Sequence, residues 1–185
     1  MIPMLPPGNG EVKVRLLLDN NILIQMLAPN ATGLTDPESG DELDRLADRA
    51  AGLITEVERV GAVMVIPAPV LSEFLMGVEK DKYQKYLDTI NGQSCFEVVG
   101  FDTAAAIECA LLPSRQELAQ ISPDQMASKL KYDRQIVSIA LASMVDEIWS
   151  HDKSLRRIAS SKELTVKSLA DIQPPPVQMK LDHDS

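Results

Sequence analysis

Two short apolar segments of this chain end directly at an aspartate, and each is followed by a helical pattern. Residues 14–18 precede Asp19, and residues 147–151 precede Asp152. Apolar runs of this length are typical of buried strands, and strands that alternate with helices are typical of a parallel sheet. Such sheets bind ligands outside the carboxyl ends of their strands, where both acids lie. Considered singly, each acid is explained equally well as the N-cap of the helix that follows.

Two further acids lie on helical stripes that are otherwise apolar. Glu73 lies on a short helix over residues 70–77, where the pattern predicts a carboxylate that projects from a largely apolar surface. Its stripe consists of Val70, Glu73, Phe74 and Gly77. Asp133 lies on a helix predicted over residues 122–144, in a row that faces the core. That row consists of Asp133, Ile136, Val137, Ala140 and Met144.

An ionised acid in a core-facing row costs on the order of several kcal/mol unless it is paired with a base or binds a metal. An ion pair of Asp133 with a Lys or Arg from elsewhere in the chain is therefore one alternative. For Glu73 the alternative is a side chain that reaches solvent at the edge of its stripe.

Convergence of these four carboxylates would create a cation site. Close carboxylates repel one another, which raises some of their pKa values unless a divalent cation supplies the opposite charge. Oxygen ligands of this kind favour Mg²⁺ or Mn²⁺ over zinc. Softer metals have few ligands here, because Cys95 and Cys109 lack a CxxC spacing and the histidines, His151 and His183, stand apart. The sequence also lacks the GxSxG segment of many serine hydrolases.

Four segments, in their order and spacing, resemble the PIN domain family, which includes metal-dependent ribonucleases and VapC-type toxins. They are residues 16–24 (LLLDNNILI), 66–77 (IPAPVLSEFLMG), 133–140 (DRQIVSIA) and 149–152 (WSHD). The resemblance implies a three-layer α/β/α sandwich with a mostly parallel central sheet. It also implies that Asp19, Glu73, Asp133 and Asp152 bind one or two Mg²⁺ or Mn²⁺ ions. Asn20 stands where the family more often has Thr or Ser.

The alternation of strands and helices independently favours a mostly parallel sheet. Strands are predicted near residues 12–18, 62–66, 95–100, 147–150 and 163–168. Helices are predicted near 20–28, 42–59, 70–78, 80–90 and 153–161, with mainly helix between the third and fourth strands. Asp102 is predicted to cap a helix that Pro113 divides. With 185 residues, of which 45% are hydrophobic, the chain predicts one PIN-like domain over residues 1–173. Within it residues 29–41 form a loop or insertion, and a Pro-rich acidic tail follows over residues 174–185.

The net charge of −9 is unfavourable for a protein that binds RNA phosphates, but the charge is unevenly distributed. Residues 36–48 carry −5 and residues 181–185 carry −2, so two segments account for −7. Basic residues that flank Asp133 or follow Asp152 are the candidate phosphate contacts: Lys129, Lys131, Arg134, Lys153, Arg156, Arg157 and Lys162. Ordinary solvated helix faces would explain the same residues. The aromatic content of 4% leaves little surface on which bases could stack.

The function predicted from these observations is hydrolysis of phosphodiester bonds by a metal-activated water. Asn20 and Ser150 are predicted to support the metal ligands through hydrogen bonds. The family resemblance favours RNA over DNA as the substrate, and it implies a homodimer and, for a toxin, a small antitoxin partner. A cytoplasmic location is expected, because no signal peptide or apolar run of ~20 residues is evident.

Two other classes of protein remain open at this stage. A catalytically inactive PIN-like module would keep the fold and bind RNA, or bind partner proteins through its acidic loop or Pro-rich tail. A phosphoacceptor receiver domain also places an aspartate after a strand. It expects a pair of acids after the first strand, however, whereas Asn20 and Asn21 follow Asp19 here.

Overall fold

The computed structural model describes residues 13–28, 33–113, 117 and 127–174. Within these residues five strands form one sheet, and every adjacent pair is parallel. The strands are β1 (Arg15–Leu18), β2 (Val63–Pro67), β3 (Phe96–Val99), β4 (Glu147–Trp149) and β5 (Thr165–Lys167). Their order across the sheet is β3-β2-β1-β4-β5. The predicted α/β class with a parallel central sheet is confirmed.

Seven α-helices connect the strands within the described residues. They are α1 (Asn20–Leu27), α2 (Leu46–Val60), α3 (Ala68–Met76), α4 (Tyr83–Asn91), α5 (Thr103–Leu111), α6 (Ala127–Ala142) and α7 (Lys153–Ser160). Short 3₁₀ turns lie at Lys80–Lys82 and Leu169–Asp171. Helix α6 packs against both α5 and α7, and α1 packs against α2 and α3. None of these helices is long and apolar enough to cross a membrane.

Strand β1 occupies the middle of the sheet, with Leu17 opposite Val65 of β2 and Ile148 of β4. Leu17 and Leu18 are fully buried, as expected for a parallel strand that is covered on both faces. From β1 the chain builds β2 and β3 on one side of the sheet, and it later builds β4 and β5 on the other. The strand order therefore reverses between β1 and β4, and this reversal positions the functional site.

Several predicted boundaries differ from the structure. The helix predicted near residues 42–59 begins at Leu46, because Arg45 adopts a left-handed conformation with φ 50°. Helix α5, which Asp102 caps, ends at Leu111, two residues before Pro113. Of the predicted loop over residues 29–41, the structure describes residues 33–41. An isolated antiparallel bridge joins Thr35 in this loop to Glu42. Residues 29–32, the predicted helix start at 122–126 and the tail from 175 lie outside the described residues.

The prediction that Met144 belongs to the core-facing row of α6 is wrong. Helix α6 ends at Ala142, and Met144 adopts a left-handed conformation with φ 49° in the turn before β4. The side chain of Met144 is 81% exposed as a result. The apolar residues continue the helical spacing as far as Met144, but the helix itself ends before this residue. The spacing therefore no longer predicts which side chain faces the core. The rest of the row is correct, since Ile136, Val137 and Ala140 are buried.

Leu17 and Met144 provide a test of this description of the core. Leu17→Ala is expected to lower the free energy of unfolding by about 3 kcal/mol, since it leaves a cavity between fully buried neighbours. Met144→Ala is the matched control and is expected to change it by less than about 0.5 kcal/mol. Urea unfolding followed by circular dichroism measures both. Equal effects of the two substitutions would contradict the packing described here.

Candidate functional site

A cleft of about 520 Å³ opens at the carboxyl ends of β1 and β4. All four acids singled out in the sequence line it, and they come from four separate parts of the chain. The lining residues are Asp19, Asn20, Asn21, Ile24, Ser72, Glu73, Met76, Lys129, Tyr132, Asp133, Ile136 and Asp152. The parallel sheet thus brings the predicted residues to one edge, as its topology requires.

Asp19 lies directly after β1 and is only 7% exposed. Its Oδ1 accepts the backbone N–H of Asn20 at 2.7 Å, so Asp19 is also the N-cap of α1. Its Oδ2 accepts hydrogen bonds from Asn21 Nδ2 at 2.7 Å and Ser150 Oγ at 2.6 Å. Burial raises the pKa of Asp19 to about 6, although the hydrogen bonds from Ser150 and Asn20 oppose this shift. The negative charges of Asp152 and Glu73 raise it further.

Asp133 projects from α6 into the same cleft and is 4% exposed. Its Oδ2 accepts a hydrogen bond from Ser154 Oγ at 2.9 Å, which links α6 to the first turn of α7. Burial raises the pKa of Asp133 to about 6, and the charge of Asp152 adds to this effect. The hydrogen bond from Ser154 and the charge of Lys129 oppose it. A buried acid with a raised pKa in a cleft is typical of a functional group.

Asp152 lies after β4 and caps α7, where its Oδ1 accepts the backbone N–H groups of Ser154 at 2.8 Å and Leu155 at 3.2 Å. Its Oδ2 lies 2.5 Å from the Nζ of Lys129. Burial acts to raise the pKa of Asp152, but the Lys129 ammonium and the two backbone N–H groups outweigh it and lower the pKa. Asp152 therefore both caps a helix and lines the cleft, as Asp19 does.

Ser150 joins the two acids that follow the central strands. Its hydroxyl donates to Asp19 Oδ2, and its oxygen accepts the backbone N–H of Asp152 at 2.9 Å. The side chain is fully buried. Asn20, the other predicted supporting residue, lines the cleft, and its Oδ1 is buried with no hydrogen-bond partner among the described residues.

The expectation that Glu73 projects from an apolar surface is wrong, because the residue is exposed. Val70 and Phe74 are buried, so the apolar stripe of α3 runs through those two positions. At 3.6 residues per turn, Glu73 lies about 100° around the helix from Phe74, at the edge of the stripe. The alternative of a solvent-reaching carboxylate was correct, although Glu73 still lines the cleft.

Tyr132, Asn21 and Ser154 were not singled out in the sequence. Tyr132 donates its phenol hydrogen bond to the carbonyl oxygen of Pro69, which ties α6 to α3. Burial raises the pKa of Tyr132 to about 12, and the charges of Glu73 and Asp19 add to it. Of these three residues, only Ser154 could have been predicted from the sequence, because it is a hydroxyl residue in the first turn of the helix that Asp152 caps.

Four of the candidate phosphate contacts, two lysines and two arginines, fall into two groups. Lys131 and Lys153 are exposed. The guanidinium of Arg134 donates to the carbonyl oxygens of Cys109, at 2.6 Å, and Pro113, and so holds the chain after α5. Arg156 donates to the carbonyl oxygen of Ser150 at 3.2 Å. These contacts favour structural roles for the two arginines and leave the two lysines as the better candidates.

His151 is held from both sides of its ring. Its Nε2 accepts the backbone N–H of Leu169 at 3.1 Å, so its Nδ1 carries the proton and donates to the carbonyl oxygen of Thr35 at 2.8 Å. Burial lowers the pKa of this imidazole below its ordinary value. His151 therefore ties the loop at residue 35 to the 3₁₀ turn at residue 169.

In the parts of the chain that the structure describes, no three His, Cys, Asp or Glu side chains are arranged to hold a metal ion. The donor chemistry of the cleft nevertheless suits a hard divalent cation. It combines carboxylates that raise one another's pKa with the partnerless amide oxygen of Asn20. Of the described residues that line the cleft, Lys129 is the one with a positive charge.

The model of the PIN domain family matches residues 16–161 of the chain. The chain therefore belongs to the PIN domain family, as the four short segments predicted. No curated protein matches it at the level of sequence.

Several solved structures share this fold. VapBC2 from Rickettsia felis, bound to a DNA fragment from its promoter, is 18% identical with a TM-score of 0.57, over 84% of this chain and 98% of that chain. VapBC-1 from nontypeable Haemophilus influenzae is 14% identical with a TM-score of 0.54, over 85% and 100%. FitAcB from Neisseria gonorrhoeae is 16% identical with a TM-score of 0.53, over 85% and 99%. At these identities the likeness shows the fold alone.

Asp133→Asn is expected to stabilise the metal-free protein at neutral pH. Because the pKa of Asp133 is raised to about 6, the folded state holds this proton more tightly than the unfolded chain does. Ionisation therefore lowers the free energy of unfolding as the pH rises from ~4 to ~6, by roughly 3 kcal/mol if the group titrates alone. The side-chain oxygen of asparagine can still accept the hydrogen bond from Ser154. Because asparagine does not ionise, the variant keeps the free energy of unfolding that wild type loses as the pH rises. Urea unfolding in EDTA across this pH range measures the effect.

The informative quantity is the difference between variant and wild type at each pH. His151 titrates in the same range with the opposite sign, since its lowered pKa makes protonation destabilising, and its contribution cancels in the difference. Asp152→Asn is the matched control. The lowered pKa of Asp152 means that its ionisation stabilises the fold, so this variant should be less stable at neutral pH. If the difference in free energy of unfolding between Asp133→Asn and wild type does not change with pH, the raised pKa of Asp133 is contradicted.

Proposed function

We propose that the protein is a metal-dependent ribonuclease that hydrolyses RNA phosphodiester bonds, and that it is the toxin of a toxin–antitoxin pair. The observation that carries the proposal is the convergence of Asp19, Glu73, Asp133 and Asp152 on one cleft at the reversal of strand order. Membership of the PIN domain family and the fold shared with VapBC structures support it.

The four acids would hold one or two Mg²⁺ or Mn²⁺ ions, with the buried Oδ1 of Asn20 as a further oxygen donor. A bound cation would lower the pKa of a water molecule and offset the charge of the scissile phosphate. Ser150 and Ser154 orient Asp19 and Asp133 by donating to one oxygen of each. Their hydrogen bonds favour the ionised carboxylates, which are the forms that bind a cation.

The exposed lysines Lys131 and Lys153 are the proposed contacts to the RNA backbone. They lie near Asp133 and Asp152 in sequence, whereas much of the negative charge lies in residues 36–48 and 181–185. The preference for RNA over DNA rests on the family. The likeness to VapBC structures also supports a small antitoxin protein as partner, together with a homodimer of this chain.

A second function has one observation in its favour. Because the carboxylates of the described residues are not arranged to hold a metal and Lys129 is paired with Asp152, a catalytically inactive PIN-like module is the alternative. Such a module would bind RNA or another protein without metal-dependent cleavage.

RNA cleavage distinguishes the two functions. The purified protein is incubated with a mixed RNA pool and Mn²⁺ or Mg²⁺, beside an EDTA control. Wild type is expected to cleave only with the metal, and an Asp19→Asn/Asp133→Asn double variant is expected to lose at least about 100-fold in rate. Asp102→Asn is the matched control, because Asp102 caps α5 away from the cleft and Asn is also a good N-cap.

Circular dichroism confirms that each variant is folded. Cleavage that survives EDTA or the double substitution would overturn the proposed site. If calorimetry also detects no metal binding to a folded wild type that does not cleave RNA, the interaction module is the better description.

Ser150→Ala tests the support given to the acids. Loss of the hydroxyl removes the donor to Asp19 and leaves the backbone N–H of Asp152 without its acceptor. We expect Mn²⁺ affinity to fall roughly 10- to 100-fold in calorimetry. Ser138→Ala is the control, because Ser138 is equally buried but donates to the carbonyl oxygen of Arg134 within α6. If the two variants bind Mn²⁺ with similar affinity, Ser150 does not support the metal ligands.

A further inference from the structure

Lys129 lies one helical turn before Asp133 on α6, and it reaches across the cleft to the acid that caps α7. Its Nζ is 2.5 Å from Asp152 Oδ2. The contact joins a side chain from the third carboxylate-bearing segment to the fourth, so it depends on the same convergence that forms the cleft. Its side chain is 50% exposed, whereas that of Asp152 is 23% exposed. The lysine therefore covers the acid from the solvent side.

Both oxygens of Asp152 are engaged in this arrangement. Oδ1 accepts the backbone N–H groups of Ser154 and Leu155, which belong to the helix cap and do not move without unwinding α7. Oδ2 is engaged by Lys129. A cation that binds Asp152 through Oδ2 therefore meets an ammonium group already in its place.

From these contacts we propose that Lys129 is a built-in counter-ion that competes with the divalent cation for Asp152 and so sets the metal affinity of the site. This inference rests on the proposed function, because it concerns the same metal centre. Among the described residues no three acids are arranged around one point, and Asp152 is the acid that Lys129 engages. The lysine satisfies part of the negative charge that a cation would otherwise hold.

The acids of the cleft act together on Lys129. The hydrogen bond to Asp152 raises the pKa of Lys129 above its ordinary value, and the charges of Asp152, Asp133 and Asp19 add to it. Three of the four acids therefore act on this one ammonium group. The lysine leaves readily when a cation replaces it, because its flexible stem is half exposed and its head can be hydrated outside the cleft.

A lysine whose role is only to join α6 to α7 would behave differently. Its removal would loosen Asp152 and either weaken metal binding or leave it unchanged. A competing lysine gives the opposite sign, since its removal strengthens metal binding. The direction of the change in metal affinity therefore separates the two roles.

The test is the affinity for Mn²⁺ alone, measured by isothermal titration calorimetry on the full chain without RNA. Lys129→Met keeps the length of the stem and removes the charge, and we expect it to bind Mn²⁺ roughly 3- to 10-fold more tightly than wild type. Lys129→Arg restores a cation and is expected to bind it less tightly than Lys129→Met. Lys131→Met is the matched control, because it removes the same charge from an exposed position of the same helix. We expect its affinity to stay within about twofold of wild type.

Each outcome has a distinct meaning. The competition is supported if Lys129→Met binds Mn²⁺ more tightly than wild type and Lys131→Met does not. It is also supported if Lys129→Met binds Mn²⁺ and the other proteins do not. Wild type that binds Mn²⁺ as tightly as Lys129→Met, or more tightly, overturns the inference and leaves the proposed metal centre intact. Folded proteins that all fail to bind Mn²⁺ overturn both. Thermal unfolding in EDTA verifies that the variants compared are folded.

Discussion

The site depends on the parallel pairing of β1 with β4, the one place where the strand order of the sheet reverses. The backbone N–H of Asp19 donates to the carbonyl oxygen of Trp149 at 3.0 Å and so extends this pairing by one residue. Ser150 then joins Asp19 to the backbone of Asp152 through its hydroxyl. Two acids that are 133 positions apart are thus fixed side by side before any ligand is present. The acids on α3 and α6 approach this fixed pair from the helices around it.

Three aspartates in one cleft have different protonation behaviour because their partners differ. Asp19 and Asp133 accept hydrogen bonds from serine hydroxyls but are nearly inaccessible to solvent, so burial dominates and raises their pKa values. Asp152 faces an ammonium group and two backbone N–H groups at a helix start, so its pKa is lowered. The cleft therefore holds one acid that is readily ionised beside two that resist ionisation. This difference is consistent with a site that needs an additional positive charge.

The sequence predicted much of the fold and the positions of the acids, because these depend on local patterns. Apolar runs, strand ends and helix caps are visible within a few residues, and the parallel topology then places Asp19 and Asp152 at one edge. Exposure was harder to predict where a helix ends or a stripe has an edge, as Met144 and Glu73 show. The contacts of Lys129 with Asp152 and of Tyr132 with Pro69 join distant segments. No local pattern encodes such contacts, so only the structure shows them.

The hydrogen bond from Tyr132 to Pro69 has a mechanical consequence. In an α-helix the carbonyl oxygen of Pro69 also accepts the backbone N–H of Glu73, four residues later. The phenol therefore joins α3 to α6 at the turn of helix that carries Glu73. With the backbone held at this turn, the distance that the exposed carboxylate of Glu73 can reach into the cleft is set by the length of its own side chain.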